Sequence, residues 1–441
     1  MSRLGLPAEE LRELVVALHP SSGDGRERGG PREVDLDPDV DVDEMLARCT
    51  WSGIAEPGDR VAGAVLGVLG ACSALAAVVD DRTADAVVGA MVDAGADLQP
   101  DGRDALVREV AAALERWRPR VVRTEATARL RAARAVGARV LVPGDPLWPS
   151  GVDDLGPHAP LVLWWTGAEE ALPALARSVA VVGARAATGY GEHVTAELAA
   201  GLVERDVAVV SGGAYGVDGA AHRAAVGCAG RTVAFLAGGV DRLYPSGHTE
   251  LFRRMRVDGA VVSELPCGAS PTRWRFLLRN RLIAAVSAAT VVVEAGARSG
   301  SLNTANHAIA LERPLGAVPG PVTSPSSSGC HRLLRESGAA CITSADDVIE
   351  LVPGWAGIAP SAAPPSSSTA ADGPSDGRAT GDPRITRVLD ALAVRRGRDT
   401  AEVAARAGLG VAEASSVLGM LELEGAVARP DGGWVRRPAR R

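Results

Sequence analysis

The sequence contains no lysine, so all 47 side chains counted as lysine or arginine are arginines. Any long cationic side chain that contacts a phosphate must therefore be an arginine, whose planar guanidinium can bind phosphate in a bidentate manner. Aromatic residues are also scarce, at 3 % of the 441 residues. Base stacking is therefore not expected to dominate a nucleic-acid contact.

Other absences exclude further classes of protein. No run of 18 apolar residues is free of charges and turn residues, so no transmembrane helix is predicted. The first ten residues lack the apolar segment of a signal peptide, and the cytoplasm is the expected location. The six cysteines are scattered without a C-x-x-C spacing, so neither a zinc site nor a disulfide framework is expected.

Familiar catalytic motifs are missing as well. The sequence has no G-x-S-x-G motif, no Walker lysine and no His/Asp/Glu spacing typical of a metal site. We therefore expect no metal, no cofactor and no catalytic residue. A chain rich in anion donors and poor in acid–base groups favours binding over turnover, so the protein is not expected to be an enzyme.

Composition divides the chain into five predicted segments. Their bounds are 1–44 for a poorly ordered segment, 45–135 for an all-α module, 136–350 for an α/β domain, 351–382 for a flexible Ser/Ala/Pro/Gly linker and 383–441 for a winged helix-turn-helix domain. The all-α module is predicted to be similar to SAM or helix-hairpin-helix modules. Packing or partner binding is its favoured role, and DNA binding through hairpin turns is the alternative.

The α/β domain alternates short apolar strands with amphipathic helices, a pattern typical of a doubly wound, mostly parallel sheet. Six strands are predicted, at Val179–Val182, Val207–Val210, Thr232–Leu236, Val261–Ser263, Thr290–Val293 and Gly316–Val318.

Small polar loops follow several of these strands, which is where parallel sheets bind phosphates. The first is Gly183–Gly191, where Gly183 allows close backbone approach and Arg185 adds charge. Its spacing is not G-x-G-x-x-G, which disfavours a dinucleotide site. In the second loop, Ser211 and Gly212 can donate backbone N–H groups, and Asp218 and His222 follow in the next helix. We interpret His222 as a structural histidine rather than a base.

The segment 276–304 combines two anion-binding features. Arg279-Asn280-Arg281 is a basic cluster, and the loop ending in Gly300 and Ser301 opens a helix after a buried strand. Arg231 lies at the opposite end of its strand and reaches the same ligand only if that ligand is long. Carboxylates at strand ends would repel phosphate, so we expect Glu264 and Glu294 to pair with arginines, Glu294 with Arg279 or Arg298.

The C-terminal segment shows the element order of a winged helix-turn-helix. Helices are predicted near Ile385–Leu392, Thr400–Ala407 and Val411–Glu424, followed by a hairpin at Ala426–Val435. Thr400 is the expected N-cap of the second helix.

The ordered series of motifs resembles the DprA/Smf family of DNA-processing proteins. The similarity covers about 140–344 and runs through G-A-R-A-A-T-G-Y-G, S-G-G-A-Y-G-V-D-G-A-A-H, G-R-T-V-A-F-L-A-G-G-V-D-R-L-Y-P, R-N-R-L-I-A-A-V-S and V-V-V-E-A-G-A-R-S-G-S-L-N-T-A. It implies an extended Rossmann-like domain that binds single-stranded DNA. It also implies loading of the RecA recombinase during natural transformation, and a homodimer.

The sequence departs from the family pattern at four positions. Ala184 replaces a hydroxyl residue, Tyr215 replaces a cation, and Asn303 replaces an aliphatic residue, while Arg231 keeps the charge of a family lysine. These departures predict a weaker or altered affinity for DNA, or a specialised paralogue.

The leading hypothesis is a mediator protein that binds single-stranded DNA. Its expected contacts are Gly183, Arg185, Ser211, Gly212, Arg231, Arg279, Asn280, Arg281, Gly300 and Ser301. One alternative is a phosphoribohydrolase-type enzyme, which would need His222 and Glu294 for its chemistry and lacks the P-G-G-x-G-T-x-x-E motif. Another is a regulator that reads duplex DNA through Val411–Glu424; a protein-interaction role for the same unit is equally open.

Overall fold

A computed structural model describes residues 13–19, 41–97, 100–121, 123–355, 383–393, 396–423, 425–430 and 433–437. The chain divides into two compact units, which we describe separately. Unit 1 comprises Met1–Pro173, Phe235–Arg242 and Ala260–Val286, and unit 2 comprises Ala174–Ala234, Leu243–Gly259 and Ser287–Arg441.

Helices dominate the chain before its first strand. They are α1 (Val42–Trp51), α2 (Arg60–Leu69), α3 (Ala71–Val79), α4 (Ala84–Asp93), α5 (Pro100–Trp117) and α6 (Arg123–Ala135). The apolar faces of α1 to α5 share one core, in which Trp51 and Trp117 pack edge to face with ring centroids 5.0 Å apart. An aromatic pair of this geometry contributes beyond the apolar area that it buries.

The middle of the chain alternates strands and helices. In chain order these are β1 (Arg139–Leu141), β2 (Leu163–Gly167), β3 (Ser178–Val182), α7 (Gly189–Val203), β4 (Ala208–Ser211), α8 (Val217–Gly227), β5 (Thr232–Phe235), α9 (Thr249–Asp258), β6 (Ala260–Ser263), α10 (Arg273–Val286), β7 (Ala289–Val292), α11 (Ser301–Ala310), β8 (Leu315–Ala317), α12 (Ser328–Glu336), β9 (Ala340–Cys341) and α13 (Ala345–Leu351).

Within unit 1, β2 pairs antiparallel with both β1 and β6. Trp164 and Trp165 of β2 are fully buried, and the indole N–H of Trp164 donates to Ser52 Oγ at 3.3 Å. These tryptophans therefore pack inside unit 1 and are not available for base stacking.

Unit 2 holds the parallel part of the sheet, in the order β5-β4-β3-β7-β8-β9. Each of these pairings is parallel. Valines at the centre of the sheet, such as Val179, Val209 and Val291, are buried together with Leu198 of α7 and Ala221 of α8. The fold class is confirmed: the sheet is mostly parallel, and each of the six predicted strands is present within one residue of its predicted ends.

The C-terminal residues form a winged helix. Its elements are α14 (Pro383–Ala391), α15 (Thr400–Ala407), α16 (Val411–Leu423), β10 (Val427–Ala428) and β11 (Val435–Arg436). The two strands pair antiparallel, and Arg398 forms a bridge with Trp434 beside them. The N-cap of α15 is Asp399, whose carboxylate accepts from Glu402 N at 2.7 Å, so the expected cap at Thr400 is wrong by one residue.

Parts of the predicted N-terminal segment and linker lie outside the described residues, namely 1–12, 20–40 and 356–382. Among the described residues, no single helix has the length and apolar character needed to cross a membrane. The bent pair α2 and α3 meets that criterion only when both helices are counted together. The described part of the chain also contains no group of His, Cys, Asp and Glu side chains that could hold a metal ion.

Asp59 carries two roles in the helical core. Its carboxylate caps α2 by accepting from the backbone N–H groups of Val61 and Ala62 at 3.1 and 3.2 Å. It also accepts from the indole N–H of the buried Trp117 at 3.1 Å.

We predict that Asp59→Ala lowers the free energy of unfolding by about 2–4 kcal/mol. About 1 kcal/mol comes from the lost cap, and about 1–3 kcal/mol from a buried indole N–H without an acceptor. Asp59→Asn serves as the control: its one acceptor oxygen can keep the cap, but its amide N–H₂ then faces the indole N–H, so it should lose only the indole contribution of about 1–3 kcal/mol. Chemical denaturation measures both variants, and equal losses would contradict the assignment.

Candidate nucleic-acid interface

The loop after β3 lies directly against its neighbours in unit 2. A Cβ atom on Gly183 would come within 2.6 Å of Val217 Cγ2 and 3.0 Å of Glu294 O, so only glycine fits there. The Ala184 carbonyl accepts from the backbone N–H of Val217 at 3.2 Å. Arg185 follows and is half-buried. Close packing around Gly183 thus fixes the backbone position of the loop that carries Arg185.

Glu294, just beyond β7, holds the same loop from the other side. Its carboxylate accepts from Thr188 N at 2.8 Å and from Thr188 Oγ1 at 2.7 Å. A Cβ atom on Gly191 would come within 2.2 Å of Glu294 Oε2, so the first turn of α7 also needs a glycine. The expected pairing of Glu294 with Arg279 or Arg298 is therefore wrong: the carboxylate binds a loop rather than an arginine.

The loop after β4 is held by its own carboxylate. Asp218 Oδ2 accepts from the backbone N–H of Gly212 at 3.2 Å and of Ala214 at 3.3 Å. Ser211 is fully buried, and its hydroxyl donates to the Val181 carbonyl at 2.7 Å. Ser211 and Gly212 thus lie at the predicted sheet edge, and the bonds that they make here shape the loop.

Two histidines lie beneath this loop. His222 is fully buried, and its Nδ1 is 2.8 Å from Thr232 Oγ1, whose hydroxyl donates to the Val209 carbonyl. Because that hydroxyl proton is used, Nδ1 of His222 must carry the donated proton. His248 Nδ1 lies 3.0 Å from the Gly213 carbonyl. Burial, aided by the nearby cations Arg223 and Arg387, lowers the pKa of His248 to about 4, so its imidazole is neutral at pH 7.

The loop after β7 is the most open of the three. Gly300 is exposed at the start of α11, and the hydroxyls of Ser299 and Ser301 are 2.7 Å apart. Arg298 is exposed in the same loop. Sequence reasoning assigned Arg298 to a salt bridge and so missed it as a candidate DNA contact, although its position in a loop at a strand end was the available signal.

Arg231 lies before β5, at the amino ends of the parallel strands and opposite the loops described above, as predicted. Its side chain is 48 % exposed, and its guanidinium lies 3.7 Å from the carboxylate of Asp206. An exposed pair of this length contributes little to stability, so Arg231 can exchange its partner readily.

The basic cluster of α10 lies in unit 1 and is buried. Arg281 Nη2 donates to both carboxylate oxygens of Glu264 at 2.8 and 2.7 Å, and the two side chains are 5 % and 9 % exposed. Arg281 Nε also donates to the His158 carbonyl at 3.0 Å, and Glu264 accepts from Gly58 N at 3.2 Å. The expected pairing of Glu264 with an arginine is found here, with Arg281 as the partner.

Arg279 and Asn280 share this burial. Arg279 Nε donates to Asn280 Oδ1 at 3.2 Å, Arg279 Nη1 donates to the Phe235 carbonyl, and the guanidinium lies 5.8 Å from the Phe276 ring centroid. The three side chains of the cluster are each less than 9 % exposed. This cluster of basic residues therefore lies in the interior of unit 1 and does not form a basic surface.

Unit 2 thus gathers six of the ten predicted contacts at one sheet edge. Because β7, β3 and β4 are parallel neighbours, their carboxyl ends adjoin, and the edge holds Gly183, Arg185, Ser211, Gly212, Gly300 and Ser301.

The described side chains support neither of the two alternative functions. Glu294 and His222, which a phosphoribohydrolase would use, both make structural hydrogen bonds. A regulator would read DNA through α16. Among its described side chains no exposed one is cationic; those exposed are Val411, Ala412, Glu413, Ser415, Ser416, Met420 and Glu422. Neither arrangement favours its alternative.

We predict that Arg281→Ala lowers the free energy of unfolding by about 3–5 kcal/mol, because it leaves the Glu264 carboxylate buried without a cation. Arg253→Ala is the control, since the pair of Arg253 with Glu250 is 69 % and 66 % exposed and should contribute less than about 1 kcal/mol. Denaturant unfolding followed by circular dichroism compares the two. A stable Arg281→Ala variant would show that the buried pair is dispensable.

Comparisons with known proteins agree with this architecture. A family model described as DNA recombination-mediator protein A matches residues 139–353, and one described as DprA winged helix domain matches residues 360–433. The putative DNA processing protein DprA of Mycobacterium tuberculosis (strain H37Rv) is 48 % identical over 310 residues, covering 68 % of this chain and 77 % of that protein.

Two further relatives extend the comparison. The protein Smf of Escherichia coli (strain K12) is 36 % identical over 259 residues, covering 58 % of this chain and 67 % of its own. The X-ray structure of DNA processing protein A from Streptococcus pneumoniae gives a TM-score of 0.55 at 25 % identity, covering 70 % of this chain and 98 % of that one. The chain belongs to the DprA/Smf family of DNA-processing proteins.

Proposed function

We propose that this protein binds single-stranded DNA at the carboxyl edge of the parallel sheet in unit 2. The observation that carries the proposal is the placement of Arg185 and Arg298 in the loops after two adjacent parallel strands, β3 and β7. Phosphates are the expected ligands, because guanidinium groups and the exposed start of α11 both favour anions.

The composition of the edge favours a single strand over a duplex. The described residues of the edge offer cations and backbone donors in loops at strand ends, which are groups that contact phosphates rather than base edges. Aromatic residues make up only 3 % of the chain, so affinity should come from phosphates more than from stacking. The net charge of −7 means that attraction must be local to this edge.

The predicted contacts divide into three proposed roles. Arg185, Gly300, Ser301 and the newly found Arg298 approach the strand, and Arg231 contacts a strand long enough to reach the other sheet edge. Gly183, Ser211 and Gly212 hold the loops in shape, as their packing and hydrogen bonds indicate. Arg279, Asn280 and Arg281 stabilise unit 1 from within.

The cellular role that we propose follows the family. The protein acts in the cytoplasm as a homodimer, without catalysis, and helps to load RecA onto single-stranded DNA during recombination and natural transformation. A dimer would join two binding edges on one strand and raise the effective affinity. Membership of a family described as recombination mediators supports this role.

Affinity for single-stranded DNA should depend strongly on salt. If the three arginines Arg185, Arg298 and Arg231 neutralise about three phosphates, a plot of log K against log salt concentration has a slope of roughly −2. Arg185→Ala/Arg298→Ala should weaken binding on the order of 100-fold, because each of the two charged hydrogen bonds contributes about 1.5 kcal/mol. Fluorescence anisotropy with a labelled oligothymidylate measures both quantities.

The control variant is Arg335→Ala, which removes an exposed arginine from α12, outside the three loops. It should bind like the wild type. A slope near zero, or a preference for duplex DNA, would refute the proposal. Loading of RecA onto DNA coated with single-strand-binding protein, lost in the double variant alone, would support the mediator role.

A further inference from the structure

Three donors from unit 2 converge on one carboxylate of the winged helix. Asp390, in α14, accepts from the Tyr215 hydroxyl at 3.1 Å, from the Ser246 backbone N–H at 2.9 Å and from Ser246 Oγ at 2.8 Å. The donors come from two separate loops, one after β4 and one before α9. All of these residues belong to unit 2.

The surroundings of the carboxylate are those of an anion site. The Arg387 guanidinium lies 4.6 Å from the centroid of the Tyr215 ring. Burial and the Asp390 carboxylate raise the pKa of Tyr215, so its hydroxyl remains a donor at any physiological pH. A phosphate oxygen can accept hydrogen bonds from the same kinds of donor, namely one backbone N–H and two hydroxyls.

A second contact ties the winged helix to the candidate DNA edge. Gly408 ends α15 in the left-handed conformation, with φ of 65°. A Cβ atom there would come within 2.6 Å of the Arg185 carbonyl oxygen. The winged helix therefore lies against the backbone of the loop that carries Arg185, as well as holding its carboxylate between Tyr215 and Ser246.

We propose that Tyr215 and Ser246 form a phosphate subsite of the single-stranded DNA site, and that Asp390 occupies it here in place of a phosphate. The winged helix and a DNA strand then compete for one surface. This inference rests on the proposed function. It also gives the winged helix a role that does not require DNA reading by α16, whose exposed charged groups are Glu413 and Glu422.

Competition has a measurable consequence for affinity. DNA binds only the fraction of molecules in which the winged helix has released the subsite, so the apparent Kd exceeds the intrinsic Kd by the inverse of that fraction. Weakening the hold of Asp390 raises the fraction and tightens DNA binding. A strand carrying many phosphates has the charge to displace a single carboxylate.

The test uses the full chain and a labelled oligothymidylate. Asp390→Ala should tighten binding by roughly tenfold, the effect of losing about one charged hydrogen bond. Asp390→Asn keeps the shape of the side chain and should tighten binding in the same direction. Glu422→Ala is the matched control: it removes one negative charge from an exposed position on α16 and should leave the Kd unchanged.

Tyr215→Phe tests the phosphate subsite independently of the competition with the winged helix. In the Asp390→Ala background it removes a phosphate donor and should weaken DNA binding about three- to tenfold. In the wild-type background it also loosens Asp390, so its net effect should be smaller. This difference between backgrounds is the signature of a shared site.

The outcomes distinguish the inference from the function. Unchanged or weaker binding by Asp390→Ala overturns the competition, as does equal tightening by Glu422→Ala. No effect of Tyr215→Phe in the Asp390→Ala background overturns the phosphate subsite. In each of these cases wild-type binding to single-stranded DNA leaves the proposed function intact, whereas no binding by any variant overturns both.

Discussion

The hydrogen bonds between Glu294 and Thr188 are the interaction on which the candidate site depends. One carboxylate at the end of β7 binds both donors of a residue in the neighbouring loop, at 2.8 and 2.7 Å. Asp218 does the same for the loop after β4. These carboxylates would repel a phosphate, but here they accept hydrogen bonds from the loops themselves. The charge of the edge is therefore determined mainly by its arginines.

Burial decides which arginines can meet a ligand. Arg281 is 5 % exposed and bound to Glu264, whereas Arg231 is 48 % exposed. A buried ion pair stabilises the fold mainly in the sense that breaking it is costly. In a chain without lysine, structural and ligand-binding tasks fall to the same residue type, so counting arginines in a motif does not locate the binding surface.

The fold was largely predictable, and the site only in part. Runs of β-branched residues placed the strands, because strands buried on both faces are apolar throughout. The edge residues followed from the rule that parallel strands end together. The burial of Arg279 and Arg281 was not predictable, since the partner Glu264 is 17 residues away and is reached only through tertiary packing. The bond between Asp390 and Ser246 spans 144 residues and left no local signal.

Hydrogen exchange with mass spectrometry tests the central claim most directly. We propose that single-stranded DNA binds the loops after β3 and β7. An oligothymidylate at saturating concentration should therefore slow amide exchange in peptides that cover 183–188 and 296–301. It should leave exchange in the helical core around Trp51 and Trp117 unchanged. Slower exchange confined to the helical core or to α16, with both loops unaffected, would contradict the account.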